Sequence, residues 1–270
     1  MNLPINYKEF PLWLTIDIEE LFDSNFNLVP KKSFILDYDS LLDNWLVLCE
    51  EMNFKSTAFI LGSFADKYPH IVKKLSDNGH EIASHGQTHD LVYSLKLEEW
   101  KKSINDSKKT LEDIIGKEVN GYRSASWSLP FEQQYYETLV DSGYTYSSSY
   151  FPLKTYLYGN SIDKKWPFEI HTSSGVITEI PIPKLGIPYS GGFYLRMLPS
   201  FLQKILMKRM FSLGVKPVIY IHPYELVNPD FITKYFLQYF KKNIDFFLAF
   251  GAISRPIKDI DMLLKLIEKK

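Results

Sequence analysis

The sequence predicts an α/β fold in which short parallel strands alternate with amphipathic helices. Short apolar runs alternate with stretches of helical period along most of the chain. Polar residues also cluster where predicted strands end: Asp17 and Glu19, His85, Arg123 and His222. In a parallel β/α barrel that end of the strands carries the active site. At 270 residues, with 45% apolar and 23% charged side chains, the chain can bury a large core without a disulfide or structural metal.

The first strand is Leu12–Ile18, apolar until it runs into acids. A helix follows over Ser40–Asn53, with Ser40 as its expected N-cap and Leu41, Leu42, Trp45, Leu48 and Met52 along one side. Thr57–Leu61 reads as the second strand, closed by Gly62. The next helix opens at Pro69, suited to a first helical turn, and closes at Gly79, suited to a left-handed cap. His80–Ser84 is a short strand, and Lys96–Ile115 a long helix with Trp100, Ile104, Leu111 and Ile115 in phase. Val119–Tyr122 and Tyr144–Ser148 read as strands, with Phe131–Ser142 a helix between them.

Residues 151–199 hold six of the 15 prolines and predict an irregular insertion with short strands such as Val176–Ile180. Ser200–Ser212 is an amphipathic helix, with Phe201, Leu202, Ile205, Leu206 and Met210 expected to face the core. Val218–Ile221 is a buried strand ending at His222, and a helical extension is expected over about 230–270. The whole reads as one catalytic domain, its motif-bearing core about 11–226.

A net charge of -1 argues against a nucleic-acid binder, whose footprint is a strongly basic face. The lone Cys49 permits no intrachain disulfide and reads as a small core residue. No apolar run reaches the ~18 residues that a membrane span needs. The N-terminus lacks the pattern of a signal peptide, so a cytoplasmic location is expected, with peripheral contact at the inner membrane surface left open.

Two groups of residues could carry chemistry. His85 and His89 lie four apart and share a face if the segment makes a helical turn. Asp17 and Glu19 lie two apart at a strand end and point the same way. Two like charges so placed need a cation or an arginine nearby, unless they are simply solvated. Two imidazoles and a carboxylate suit a catalytic zinc site, and equally the facial triad of a non-haem Fe(II) oxygenase. Hydrolysis also needs a base and an acid, and Asp17 and His222 are the spare groups.

Four segments carry a family resemblance: Thr15–Glu19, Gly79–His89, Gly121–Ser126 and Tyr220–Pro223. Together they resemble the polysaccharide deacetylases, carbohydrate esterase family 4, and most of all its peptidoglycan and exopolysaccharide branch with an Asp-x-Glu first motif. Gly191–Arg196 and the Tyr-Ile-His-Pro-Tyr-Glu run resemble the same branch. The resemblance implies a distorted (β/α) barrel of about seven strands. It implies one divalent metal, Zn2+ first and Co2+, Ni2+ or Fe2+ as alternatives, held by Glu19, His85 and His89. Asp17 would be the general base, with Arg123 orienting it and keeping it ionised. His222 would be the general acid, and a backbone N–H near Ser126 would help bind the oxyanion. Trp127 and Tyr194 are candidate rings for stacking on a sugar.

The implied reaction is removal of an N-acetyl or similar N-acyl group from an amino sugar, nucleotide-linked, lipid-linked or polymeric, in surface polysaccharide, lipopolysaccharide or other glycoconjugate biosynthesis. Two departures stand out. Ala125 replaces a frequent proline, and Ser147 stands where the branch often has an Asp that tunes the acid histidine. Another carboxylate such as Glu179 is then expected to stand in, or the chain is a catalytically impaired member that binds glycan or a partner. His80 reads as a structural hydrogen-bonding residue, His70 as surface helix, and nothing recommends His171 as a ligand.

Overall fold

The computed structural model describes residues 1–25, 36–154, 159, 163–188, 191, 195 and 198–227. Its centre is a curled mixed sheet of eight strands forming a half-barrel. The first five strands are β1 (Trp13–Ile18), β2 (Thr57–Ile60), β3 (Glu81–Ser84), β4 (Gly121–Tyr122) and β5 (Tyr146–Ser147). The sheet is completed by β6 (Phe168–Thr172), β7 (Gly175–Glu179) and β10 (Val218–Ile221), in the order β10-β1-β2-β3-β4-β5-β7-β6. Every pairing is parallel except β6 with β7, so the seven strands expected are present and an antiparallel hairpin strand is added at one edge. A two-stranded ribbon, β8 (Lys184–Leu185) with β9 (Ile187–Pro188), lies in the proline-rich insertion.

The alternation of side chains along each strand divides the molecule into two apolar layers. Leu14, Ile16 and Ile18 of β1 and Ala58 and Ile60 of β2 face the helices and join the larger core. Trp13 of β1, Phe59 of β2, Ala83 of β3 and Tyr146 of β5 face the other way and fill the half-barrel with Trp127, Phe151 and Tyr220. Both faces are covered, which is why β1, β2 and β10 are buried at every position. Asp17 has the parity of Trp13, and so points into the half-barrel.

The helices are α1 (Ile5–Glu9), α2 (Tyr38–Glu51), α3 (Gly62–Lys67), α4 (Pro69–Asp77), α5 (Leu97–Ile115), α6 (Gln133–Asp141) and α7 (Ser200–Ser212). Gly79 and Gly116 take φ of +80° and +67° after α4 and α5, as left-handed caps do. Three expectations are corrected. The cap of α2 is Asp37, not Ser40: its carboxylate accepts the Ser40 N–H at 3.1 Å and the Ser40 hydroxyl at 2.6 Å. Gly62 does not end a strand but opens α3, too short for a periodic signal.

The third correction concerns α7, whose inward face is shifted: Met210 and Leu206 pack on the core as expected, but Phe201 and Ile205 do not. Gln203, Met207 and Met210 are buried, while Phe201 and Ile205 are 67% and 57% exposed. The buried amide is satisfied by the carbonyls of Leu195 and Leu198, each at 2.9 Å. The expected extension over 230–270 lies outside the described residues. Among the described residues no helix is long and apolar enough to cross a membrane.

Candidate active site

The C-terminal ends of β1, β3, β4 and β10 deliver the polar residues that the sequence singles out. Asp17 is in the last turn of pleat of β1 and Glu19 follows two residues on, both buried. Arg123 follows β4 and is completely buried. Its Nη1 donates to Asp17 Oδ1 at 2.5 Å and to Thr15 Oγ1 at 2.9 Å, and its Nη2 to Ser148 Oγ at 3.1 Å. The guanidinium carbon sits 4.0 Å from the centre of the Phe59 ring, with Trp13 and Trp127 also within 6 Å. A planar, weakly hydrated cation tolerates such a site when its carboxylate partner is held in place.

His85 and His89 are brought together by a loop, not by the helical turn that their spacing suggested. Gly86 takes φ +88°, a conformation that a side chain disfavours, and redirects the chain after β3. The loop is tied to its neighbours by main-chain bonds: Gly62 N–H and Ser63 N–H of α3 donate to the carbonyls of Gly86 and Gln87 at 2.9 Å. Ser103 of α5 accepts the Gln87 N–H at 3.1 Å. The two imidazole centres end 5.4 Å apart.

Glu19 Oε2 lies 2.9 Å from His89 Nε2 and 3.9 Å from His85 Nε2. One ligand atom from each of the three residues falls within 4.8 Å of the others. The same oxygen is fully buried and lacks an aligned hydrogen bond, despite its closeness to His89. Three convergent donors of this chemistry, one of them a buried carboxylate oxygen without a hydrogen bond, fit a divalent cation.

His85 Nδ1 is 2.8 Å from the Arg123 carbonyl, which fixes Nδ1 as the protonated nitrogen and leaves Nε2 as the donor atom. Burial pushes the His85 imidazole down to about 4, with Asp17 and Glu19 pulling the other way. Burial would raise Glu19, but the charge of His89, with those of His222 and His85, brings it down to about 2. Burial opposes the charged form of His89 too, and Glu19 outweighs it, so that imidazole rises.

Ser126 and Trp127 follow Arg123 in a tight turn with φ of +48° and +49°. Such strain in residues other than glycine collects at functional sites. Trp127 is only 7% exposed, packed 4.6 Å from Tyr220 and 5.5 Å from Phe151 between ring centres. Its ring forms a wall over Arg123, 5.9 Å from the guanidinium carbon. Tyr194 lies outside the described residues. His222, after β10, has Glu225 Oε2 at 3.3 Å from Nδ1 and stacks on Tyr224 at 4.8 Å.

Two residues at the site escaped the sequence reading. Asn25 Nδ2 is 3.2 Å from His89 Nδ1 and 3.0 Å from Ser126 Oγ, so one amide links an imidazole to the strained turn. No local pattern announces it. Glu225 had a signal, since an acid three residues after a turn-opening residue forms a capping box. Glu179 is not the partner of His222: its Oε1 accepts the N–H groups of Ser149 and Tyr150 at 2.7 and 2.9 Å. Burial pushes that carboxyl up to about 7. His80 is structural, its Nδ1 held by Ser56, and His70 pairs with Asp39 at the surface.

A half-barrel of mostly parallel strands thus brings two imidazoles, a carboxylate and an arginine-held aspartate together at the strands' C-terminal ends. Comparisons with known proteins support a likeness to the polysaccharide deacetylases of carbohydrate esterase family 4. Residues 28–146 match the family model of polysaccharide deacetylases, and residues 148–250 match that of a domain of unknown function, DUF3473. A peptidoglycan-N-acetylglucosamine deacetylase of Bacillus cereus is 31% identical over 67 residues, 25% of this chain and 24% of the relative. The match therefore spans about a quarter of that protein's length. A crystal structure described as a polysaccharide deacetylase of Mycobacterium smegmatis superposes with TM-score 0.63 at 16% identity, covering 94% of this chain and 83% of that one. A pseudoenzyme of carbohydrate esterase family 4 from Bacillus anthracis superposes with TM-score 0.52 at 12% identity, covering 96% and 60%. At these identities the two structures speak for the fold.

Proposed function

We propose that this chain is a metal-dependent hydrolase that removes an N-acetyl, or similar N-acyl, group from an amino sugar of a surface polysaccharide or other glycoconjugate. The observation that carries the reading is the convergence of Glu19, His85 and His89 beside the buried Asp17–Arg123 pair. Glu19, His85 and His89 would hold one divalent cation, with zinc the expected ion. Such a cation, when bound, polarises a carbonyl and makes bound water a better nucleophile at neutral pH.

The chain's own residues supply the remaining parts. Asp17 accepts the proton of the attacking water, held in position by Arg123 Nη1 at 2.5 Å. The strained turn at Ser126 offers a main-chain N–H to the oxygen that gains charge as the carbonyl carbon becomes tetrahedral. His222 gives a proton to the sugar nitrogen as the C–N bond breaks, so the amine leaves neutral. Water's oxygen ends in acetate, and its proton passes to Asp17. An Fe(II) oxygenase uses the same ligand set but has no need of Asp17 and His222 together, which favours hydrolysis.

The test is acetate release from N-acetylglucosamine oligomers, peptidoglycan fragments, and nucleotide- and lipid-linked N-acetylamino sugars, with and without chelator and under anaerobic conditions. Chelator-sensitive release that persists without oxygen is the expected result. Release that survives complete metal removal, or none from any of these sugars by the metal-loaded chain, overturns the reading.

A further inference from the structure

The residue at the strand position expected to carry an acid for His222 is Ser147, which is buried and spends its hydroxyl on Ser149 Oγ at 2.9 Å. A buried carboxylate reaches the imidazole by another route. Pro223–Leu226 forms a single 3-10 turn, opened by a proline whose missing N–H costs nothing at that position. The turn folds Glu225 back over His222, and the two residues are tied twice through the main chain. Glu225 N–H donates to the His222 carbonyl at 3.0 Å, and His222 N–H donates to Glu225 Oε2 at 2.8 Å.

That same oxygen lies 3.3 Å from His222 Nδ1, at the long end of a hydrogen bond. The carboxylate is completely buried, so it cannot swing away to solvent. The ring is confined further by Tyr224, stacked at an interplanar angle of 10°, and by the edge contact of Tyr220 at 5.9 Å. A carboxylate beside Nδ1 selects the tautomer with the proton on that nitrogen and leaves Nε2 to exchange protons.

We propose that Glu225 is the positioning residue of His222, fixing its ring and Nδ1–H tautomer from within the histidine's own turn. The proposal rests on the hydrolase reading above for what His222 does, but not for how it is held. The charged groups that act on the imidazole are Glu225, Glu19 and Asp17, which favour the imidazolium, and His89, which opposes it together with burial. Burial is the largest single influence, and the carboxylates outweigh it, so His222 titrates above its ordinary value.

Two measurements on the full zinc-loaded chain decide the matter. Nitrogen NMR of the His222 ring reports its tautomer directly, whatever the activity. The Nδ1–H form in the neutral wild type is expected, and the Nε2–H form overturns the proposal. Kinetics of Glu225→Gln and Glu225→Asp follow, since Gln keeps an oxygen for the His222 N–H and a matching thermal midpoint shows that the turn still forms. Glu225→Gln is expected to lower kcat about 10-fold or more. KM should stay within about twofold, and the alkaline limb of the pH profile should move to lower pH by about one unit. Glu225→Asp is expected to recover part of both effects. An unchanged kcat and limb in Glu225→Gln overturn the role. Wild type without acetate release on any N-acyl sugar sinks the hydrolase reading instead, and the tautomer then decides alone.

Discussion

His85 Nδ1 lies 2.8 Å from the main-chain carbonyl of Arg123, whose side chain holds Asp17 at 2.5 Å. One residue therefore sets the tautomer of a candidate ligand with its backbone and the orientation of a candidate base with its guanidinium. Two parts of the site, carried by different strands, are adjusted by the same few atoms at the end of β4.

The Asp17–Arg123 pair is buried, so removing one partner strands the other. Arg123→Met is expected to cost about 3–5 kcal/mol of stability, because Asp17 is left uncompensated. The double variant Asp17→Asn with Arg123→Met should recover part of that loss in thermal or urea unfolding. Strictly additive losses would mean that the two groups are not coupled. Asp17→Asn alone is expected to lower kcat by about 100-fold or more while leaving zinc affinity within a few-fold.

Zinc titration separates the ligands from their supports. Glu19→Gln is expected to weaken binding by more than about 100-fold, beyond what loss of an outer contact costs. Asn25→Ala, which removes the amide between His89 and Ser126, should weaken it by about 10-fold. Calorimetry that finds the two variants equal would place the cation elsewhere.

Glu179 supplies a pH-dependent term with a definite sign. Burial raises its carboxyl from 4.5 to about 7, so between those values the folded chain keeps a proton that the unfolded chain has lost. Its contribution is fully present below pH 4.5 and is lost as pH rises through 7. Glu179→Gln keeps an acceptor for the N–H groups of Ser149 and Tyr150 but does not titrate. At pH 8 it is expected to be more stable than wild type by on the order of 2 kcal/mol, the gap closing near pH 4.5. A gap that is independent of pH in urea melts contradicts the assignment.

Gly121 leaves no room for a side chain. A Cβ there would stand 2.1 Å from the Tyr146 ring, which is buried beside Trp13 and donates its hydroxyl to Glu81 at 2.9 Å. Gly121→Ala is expected to destabilise by about 1–3 kcal/mol. It should also lower kcat through the displaced Arg123 two residues on. A variant with unchanged melting temperature and activity would show that Tyr146 moves aside freely.

The alternation of β1 was legible in the sequence, because a strand's period of two is a local property. The end of α4 at Gly79 was legible for the same reason, a left-handed cap being written in one residue. His85 and His89 could be picked out by type, but the expected helical turn is a loop redirected at Gly86 and pinned by α3 and α5. The burial of Gln203 on α7 was not legible, since two carbonyls from the preceding segment decide it.

The sequence by itself determined the longer helices and the main strands, how side chains alternate along those strands, and which polar residues arrive at the strand ends. Tertiary structure alone decided which of those residues meet. Arg123 reaches Asp17 across 106 positions, and Asn25 reaches Ser126 across 101. Periodicity and caps are set by neighbouring residues, whereas such contacts depend on strand order and the space left between packed elements, which no local window of sequence contains.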